Sequence, residues 1–126
     1  MLATRRVHTT LPTGDVERLR RFYEDVLGLT PFAERPAAVF YRVGDGSLFV
    51  LSRSGARSTG AHTQMAFSVP DVEAEVRELQ ARGVAFESYE QPKTVDGVAR
   101  IPAGRAAWFK DPDDNLIGIL QLDDPV

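Results

Sequence analysis

The stretch VHTTLPTGDVE at residues 7–17 decides the fold, because the chain carries a second version of it. The second version is TQMAFSVPDVE at residues 63–73, and each version reads as a short strand, a turn and an Asp-Val-Glu that opens a helix. A further pair of segments, residues 38–51 and 106–119, places two apolar strands around a Gly/Asp-rich turn, which is typical of a β-hairpin. The sequence therefore predicts two copies of one unit, offset by about 56 to 68 residues.

Each predicted unit contains one helix, at about residues 15–27 and 71–82. Asp15 is a good N-cap for the first helix, because its carboxylate can accept the free N–H groups of the first turn, and Asp71 marks the start of the second. Apolar residues recur every three or four positions and form one stripe per helix: Val16, Leu19, Tyr23 and Val26, then Val72, Val76 and Leu79. A glycine, Gly28 or Gly83, follows each helix and suits the left-handed conformation found at helix ends.

About three strands are predicted after each helix, so the order is strand-helix-strand-strand-strand, twice. This order indicates an α+β fold of two βαβββ modules in one domain over residues 1–126, with the modules at about residues 4–56 and 62–122. We expect the helices on the outer face of a curved mixed sheet and a central trough on the other face. Such a trough is a natural place for a ligand.

The period-two alternation of strands assigns each side chain to one face of the predicted sheet. The set expected under the helices is Val7, Thr9, Leu11, Tyr41, Phe49, Leu51, Met65, Phe67, Val69, Phe109, Ile117 and Ile119. The set expected in the trough is His8, Thr10, Phe40, Leu48, Val50, Gln64, Ala66, Ser68, Trp108, Leu116, Gly118 and Leu120. These assignments depend on register, because a slip of one residue inverts every face.

The composition narrows the classes of function. The chain has no cysteine, which excludes disulfide scaffolds, thiol nucleophiles and iron–sulfur clusters. Its formal net charge of -3 gives no reason to expect nucleic acid as a partner, because such proteins present a basic face. No apolar run approaches the roughly 18 residues of a membrane span, and no signal peptide is visible, so we expect a cytoplasmic protein without a membrane partner.

Two segments resemble a known superfamily. DVERLRRFYEDVLGL at residues 15–29 resembles the first helix of the vicinal oxygen chelate superfamily, the glyoxalase/bleomycin resistance/extradiol dioxygenase group. FKDPDDNLI at residues 109–117 is similar to its closing hairpin, F-x-D-P-D-G-N, with Asp114 in place of the glycine. The resemblance covers nearly the whole chain and implies the fold. It leaves the function open, because the superfamily contains isomerases, dioxygenases, epimerases, thiol transferases and non-catalytic drug-binding proteins.

The resemblance also identifies where a metal would bind. Metal-dependent members hold a divalent ion with His or Gln early in each unit and Glu late. The matching positions here are His8, Val50, Gln64 and Gly118. Both carboxylates are absent, and one imidazole plus one amide is a poor set for a dication, so we expect no metal cofactor. His62, two residues before Gln64, would need a bulge to substitute as a ligand.

The leading hypothesis is therefore a metal-independent protein that binds a small organic molecule, similar to the drug-sequestering resistance members, and that forms a homodimer. The expected apolar contacts are Phe40, Val50, Trp108, Leu116 and Gly118, and the expected polar contacts are His8, Thr10, Gln64 and Ser68. Small residues beside Trp108 leave room for a flat guest, and Tyr89 is a further stacking candidate. The extra residues of the second unit lie in the Pro/Gly-containing stretch 91–105, where Arg100 and Arg105 flank the inserted loop and can meet an anionic group.

Two catalytic alternatives remain open, so the sequence leaves it undecided whether the protein is an enzyme. One is a lyase, isomerase or dioxygenase of glyoxalase type, in which His8 and Gln64 would hold a dication with water or substrate oxygens. The other is a metal-free epimerase or cyclase with His8 as the candidate catalytic base. The arginines at 18, 20 and 21 are interpreted as a solvated helix face.

Overall fold

Both copies of the Asp-Val-Glu motif begin a helix in the computed structural model, which describes all 126 residues. The side chain of Asp15 accepts the backbone N–H of Arg18 at 3.1 Å. The side chain of Asp71 accepts the N–H of Ala74, also at 3.1 Å. Each carboxylate thereby satisfies a donor that a helix leaves free in its first turn, as the sequence predicts.

The first unit, Met1–Arg57, is a four-stranded sheet with one helix. Its elements are a 3₁₀ turn at Leu2–Thr4, β1 (Thr9–Thr13), α1 (Val16–Arg21), a π-helical continuation at Phe22–Val26, β2 (Pro31–Arg35), β3 (Ala38–Val43) and β4 (Ser47–Arg53). The strand order is β1-β4-β3-β2, with β1 parallel to β4 and the other pairs antiparallel. This is the predicted βαβββ module.

The second unit, Ser58–Val126, repeats this plan with one more strand. Its elements are β5 (Thr63–Ser68), α2 (Val72–Ala81), β6 (Thr94–Val95), β7 (Val98–Ile101), β8 (Gly104–Lys110) and β9 (Leu116–Leu122). The order is β5-β9-β8-β7-β6, and β5 is the parallel partner of β9. Neither helix of the chain is long and apolar enough to cross a membrane.

The additional strand corrects the expectation of about three strands after the second helix. Residues 91–105, interpreted from sequence as an inserted stretch, include the β6–β7 hairpin. Asp96 and Gly97 form its turn, both with positive φ (52° and 83°), between the paired residues Val95 and Val98. A two-residue turn of this kind matches the twist of the flanking strands, and Asp-Gly is one of its preferred sequences.

The core of the first unit is aromatic. The ring of Tyr23, on the π-helical turn, lies 6.2 Å from that of Tyr41 and 5.5 Å from that of Phe49. Tyr41 and Phe49 stack with ring centroids 5.1 Å apart. Leu11 and Leu19 are fully buried beside them. The predicted apolar stripe of the helix therefore packs against the predicted face of β1, β3 and β4.

In the second unit, α2 packs against β8 and β9. Val72 and Val76 of the helix are buried, as are Phe109 and Ile117 of the strands. The hairpin between β8 and β9 is organised by the buried Asp111, whose side chain accepts hydrogen bonds from three N–H groups, those of the Asp113 and Asn115 backbones and the Asn115 amide. Asp114, at the position of the family's glycine, has a positive φ of 63°.

Two expectations from the sequence are wrong. Val7 lies outside β1 and is 86% exposed, because the pairing of β1 with β4 stops at Thr9, so Val7 does not lie under the helix. Arg20 is not part of a solvated face. Its guanidinium bonds Glu24 and Glu34 at 2.7 Å each, and the Tyr41 hydroxyl donates to Glu24 at 2.8 Å.

Candidate functional site

Each sheet has one face packed against its helix and an opposite face, here called the helix-free face. Most of the residues predicted to contact a ligand lie on the helix-free faces. In the first unit, strand pairing aligns Thr10 and Phe40 on either side of Val50. The His8 ring precedes β1 and meets Phe40 edge to face, with centroids 5.8 Å apart and planes at 70°. Val50 is buried, whereas His8 and Thr10 are exposed. The structure thus brings His8, Thr10, Phe40 and Val50 together.

The helix-free face of the second unit centres on Trp108. Strand pairing aligns Trp108, Gly118 and Ala66 across β8, β9 and β5. The indole N–H of Trp108 donates a hydrogen bond to the Thr63 hydroxyl at 3.1 Å. Tyr89 meets the indole edge to face at 5.7 Å. The Trp108 ring is thus held on two sides while remaining partly exposed.

The small residue beneath the indole is essential to this arrangement. A Cβ added at Gly118 would lie 3.3 Å from the Ala66 Cβ, 3.4 Å from the Thr63 Cγ2 and 3.5 Å from the Trp108 Nε1. A side chain at position 118 would therefore contact the indole nitrogen and crowd Ala66.

A β-bulge changes the alternation along β5. Thr63 pairs with Leu116 and Met65 pairs with Ile117, so two steps on β5 match one step on β9 and Gln64 is the extra residue. A bulge locally re-aims side chains. Thr63, which strict alternation does not assign to this face, is the residue that bonds Trp108. The alternation that assigned Gln64 to the trough does not continue through it, and its role there stays a prediction.

The remaining predicted contacts of the second unit lie at the ends of β5 and β9. Ser68 is exposed and pairs with Leu120, whereas Leu116, opposite Thr63, is buried. His62 is exposed in the segment before β5.

Tyr89 adds a polar group beside Trp108. Burial raises the pKa of the Tyr89 phenol, and the neighbouring Glu87 carboxylate raises it further, while Lys110 opposes the shift. The phenol therefore stays protonated and neutral well above physiological pH. Its O–H can donate a hydrogen bond to a ligand lying against the indole.

The positions at which the superfamily binds a metal do not fit a dication in this chain. They offer one imidazole from His8, one amide from Gln64 and no carboxylate. Val50 is a buried apolar side chain, and Gly118 lies beneath the Trp108 indole. No group of three or more His, Asp or Glu side chains in the structure is placed to hold a metal ion. Hard and borderline dications prefer several oxygen or nitrogen donors with neutralising charge.

Arg100 and Arg105 lie apart from this face. They project on the helix side of the second sheet, where Arg105 pairs with Glu73 of α2. Both line a groove between α2 and the β6–β7 hairpin, together with Arg77 and Lys93.

Three residues of these surfaces are not predicted from the sequence: Thr63, Arg77 and Lys93. Thr63 gives no signal without the bulge, whereas the Asp-Gly turn between Val95 and Val98 was a readable signal for the hairpin.

Comparisons with known proteins agree with this architecture. The family model described as Glyoxalase/Bleomycin resistance protein/Dioxygenase superfamily matches residues 5–119. TnmS3, an antibiotic binding protein from Streptomyces sp. CB03234, is similar at 26% identity and a TM-score of 0.69, covering 95% of this chain and 98% of that one. No curated protein matches the chain significantly.

Two further solved structures show the fold alone, because their identity is low. A lactoylglutathione lyase from Agrobacterium tumefaciens is 22% identical with a TM-score of 0.66, covering 94% of this chain and 93% of that chain. A glyoxalase/bleomycin resistance protein/dioxygenase from Nocardioides is 22% identical with a TM-score of 0.69, covering 94% of this chain and 85% of that chain.

Proposed function

Since the chain belongs to the Glyoxalase/Bleomycin resistance protein/Dioxygenase superfamily, we propose that it binds a small organic molecule without using a metal ion. The ligand packs against the helix-free face of the second sheet, where Trp108 provides the main apolar surface. Residues Gln64, Ser68, Leu116 and Gly118 surround that contact in the proposal. Relatives that bind an antibiotic and relatives named as lyases share this fold, so the assignment depends on the side chains of this chain.

The observation that carries the proposal is the fixed indole over Gly118. Trp108 is hydrogen-bonded to Thr63, and its ring is braced by Tyr89. A side chain that is immobilised before binding loses little entropy when a ligand stacks on it. An indole also offers a broad polarisable face, which suits a planar guest.

We propose that the helix-free face of the first sheet, taken by itself, also contacts a small molecule through His8, Thr10, Phe40 and Val50. His8 and Phe40 present adjoining rings, and the hydroxyl of Thr10 lies in the same row as Val50. An exposed imidazole can donate or accept a hydrogen bond through its ring nitrogens. We also propose that the chain forms a homodimer, which light scattering behind a size-exclusion column would measure directly.

The antibiotic-binding relative supports the choice of ligand class. TnmS3 is 26% identical to this chain, and the match covers 98% of the TnmS3 chain. The metal-dependent alternative receives less support, because its four family positions hold one imidazole and no carboxylate. The metal-free epimerase or cyclase alternative depends on His8 as the catalytic base. The His8 ring packs edge to face against Phe40.

The fluorescence of Trp108 tests the proposal, because it is the one tryptophan of the chain. The protein would be titrated with planar polycyclic antibiotics of several chemical classes, and binding would be repeated by calorimetry. We expect saturable binding that Trp108→Leu weakens at least about tenfold. Phe32→Leu removes another exposed aromatic ring and is the matched control. If neither Trp108→Leu nor Gln64→Ala changes the affinity of any ligand found, the proposed face is wrong.

Metal loading separates the binding protein from the metalloenzyme. The protein would be offered iron(II), nickel, zinc and manganese without oxygen and desalted, and bound metal would be counted by mass spectrometry. The proposal expects less than one equivalent per chain, unaffected by His8→Ala. A stoichiometric metal that His8→Ala removes would overturn it in favour of glyoxalase-type chemistry. If the protein catalyses a reaction, and one limb of its pH–rate profile disappears in His8→Ala, that result would instead favour the metal-free enzyme.

A further inference from the structure

The second unit contains a groove on its helix side, separate from the helix-free face. It has a volume of about 750 Å³ and lies between α2 and the β6–β7 hairpin. Its lining includes Val76, Arg77, Lys93, Val98, Arg100 and Arg105. A volume of several hundred Å³ is the usual size of a small-molecule site.

The charges in this groove oppose the charge of the whole chain. Four cationic side chains and two carboxylates line it, although the chain carries a net charge of -3. Glu73 pairs with Arg105, whereas Arg77, Lys93 and Arg100 have no carboxylate within ion-pair distance in the structure. The other carboxylate belongs to Asp96, which lies in the turn of the β6–β7 hairpin, where its positive φ is the conformation that the turn requires.

Two of the cations belong to neighbouring strands. Arg100 of β7 and Arg105 of β8 are direct cross-strand partners on the helix side. Like charges directly opposite each other destabilise a sheet pair. Glu73 compensates Arg105 alone, so the charge of Arg100 remains uncompensated within the groove. An anion bound between the two guanidinium groups would offset this repulsion and accept bidentate hydrogen bonds.

The floor of the groove is apolar. Val76, in the middle of α2, is buried, and Val98 is partly buried. Val95 is 63% exposed at the rim of the groove. An inorganic ion would leave this surface uncovered. The combination favours a ligand with an anionic end and a hydrocarbon body.

We propose that this groove binds a small organic dianion, a phosphate monoester or a dicarboxylate. The charged end lies between Arg100 and Arg105 within reach of Arg77 and Lys93, and the apolar body lies on Val76 and Val98. This site is independent of the proposed ligand at Trp108, so either proposal can fail without the other.

Amide chemical shifts of the ¹⁵N-labelled protein would test the inference with two probes, phenyl phosphate and benzene-1,2-dicarboxylate. We expect saturable shifts along α2, β6 and β7 with at least one probe, and whichever binds identifies the preferred head group. The single indole N–H signal of Trp108 is an internal reference for the other face and should stay unmoved. Benzyl alcohol, which is neutral, should produce no saturable shifts.

Charge-removing variants distinguish a built site from general attraction. Arg100→Gln and Arg77→Gln should each lower the affinity for the probe that binds about tenfold. Arg57→Gln changes the net charge equally from an exposed position in the first unit, and it should leave the affinity unchanged. Equal weakening by all three variants, shifts centred on the Trp108 signal, or no saturable shifts with either probe would each overturn the proposal.

Discussion

The hydrogen bond from the Trp108 indole to the Thr63 hydroxyl spans three strands, because it crosses over Gly118 on the central strand β9. Its length is 3.1 Å, and the indole has no other polar atom to offer. The bond therefore fixes the orientation of the ring relative to the sheet. Gly118 lies directly beneath it, and a Cβ added there would lie 3.5 Å from the indole nitrogen.

Replacement of Thr63 by valine should loosen the Trp108 ring without changing the volume of the side chain. The hydroxyl that accepts the indole N–H is lost, so the ring gains freedom that a ligand must remove on binding. We expect affinity for a planar aromatic ligand to fall about five- to tenfold, with a lower steady-state anisotropy of tryptophan fluorescence in the free protein. Thr30→Val, at an exposed position before β2, is the matched control. Unchanged anisotropy and affinity in Thr63→Val would mean that the bond does not position the ring.

Replacement of Gly118 by alanine should destabilise the protein, although alanine is usually neutral or favourable in a strand. The new methyl would lie 3.3 Å from the Ala66 Cβ, closer than side chains normally pack, so β5 and β9 must give way locally, and it would also touch the Trp108 Nε1 at 3.5 Å. We expect a loss of about 1–3 kcal/mol in the free energy of unfolding by urea, with a shift in tryptophan emission. Gly55→Ala is the control, since a Cβ there meets nothing within 4 Å. Equal effects of the two substitutions would contradict the crowding.

The sequence was sufficient to predict the features that depend on local chemistry. Asp15 is predicted as a cap because a carboxylate before an apolar stripe satisfies free helix donors, and it does so. Asp71, at the matching position of the second copy, caps α2 in the same way. Strand alternation places Thr10, Phe40 and Val50 on one face, and the uninterrupted pairing of β1, β3 and β4 aligns them in one row, while their role in binding stays a prediction. Internal repetition correctly predicts the order of the elements in the first unit, whereas the second unit contains one additional strand.

The features that depend on distant partners could not be read in this way. The bulge at Gln64 arises from the register between β5 and β9, and nothing in the local alternation shows it. Arg20 resembled a solvated residue because its partner Glu34 lies on another element, β2. Val7 has the β-branched side chain of a strand residue, yet no ladder extends to it. The groove beside α2 exists because the β6–β7 hairpin places Arg100 opposite Arg105.

The contrast between Leu11 and Val7 tests where β1 begins. Leu11 is fully buried beneath the helix, whereas Val7 is 86% exposed before the strand. Leu11→Ala should cost about 2–5 kcal/mol of unfolding free energy through lost burial and a residual cavity. Val7→Ala should change it by less than about 0.5 kcal/mol. A large cost for Val7→Ala in the same urea experiment would restore the strand to its predicted length.

Glu34 should contribute to the acid sensitivity of the protein. Its hydrogen bond with the Arg20 guanidinium lowers the pKa of Glu34 below its ordinary value of 4.5. The folded state therefore binds this proton less readily than the unfolded chain, so the contribution is present above the ordinary pKa and is lost as pH falls through the lowered one. Between about pH 5 and pH 3, wild type should lose more stability than Glu34→Gln. Glu90→Gln, which removes a carboxylate without an ion pair, should follow wild type, and parallel loss in all three proteins would contradict the linkage.

Salt should distinguish the two proposed sites in a single protein. A neutral aromatic ligand at Trp108 binds mainly by stacking and burial, which ionic screening hardly affects. Phenyl phosphate in the groove of Arg77, Lys93, Arg100 and Arg105 depends on attraction between charges that are largely exposed. Raising sodium chloride from about 50 mM to 500 mM should leave the first affinity within about twofold and reduce the second at least about fivefold. Calorimetric titration at both salt concentrations measures each, with Trp108→Leu expected to affect only the neutral ligand and Arg100→Gln only the phosphate. Reciprocal effects of the two variants would instead mean that both molecules occupy one site.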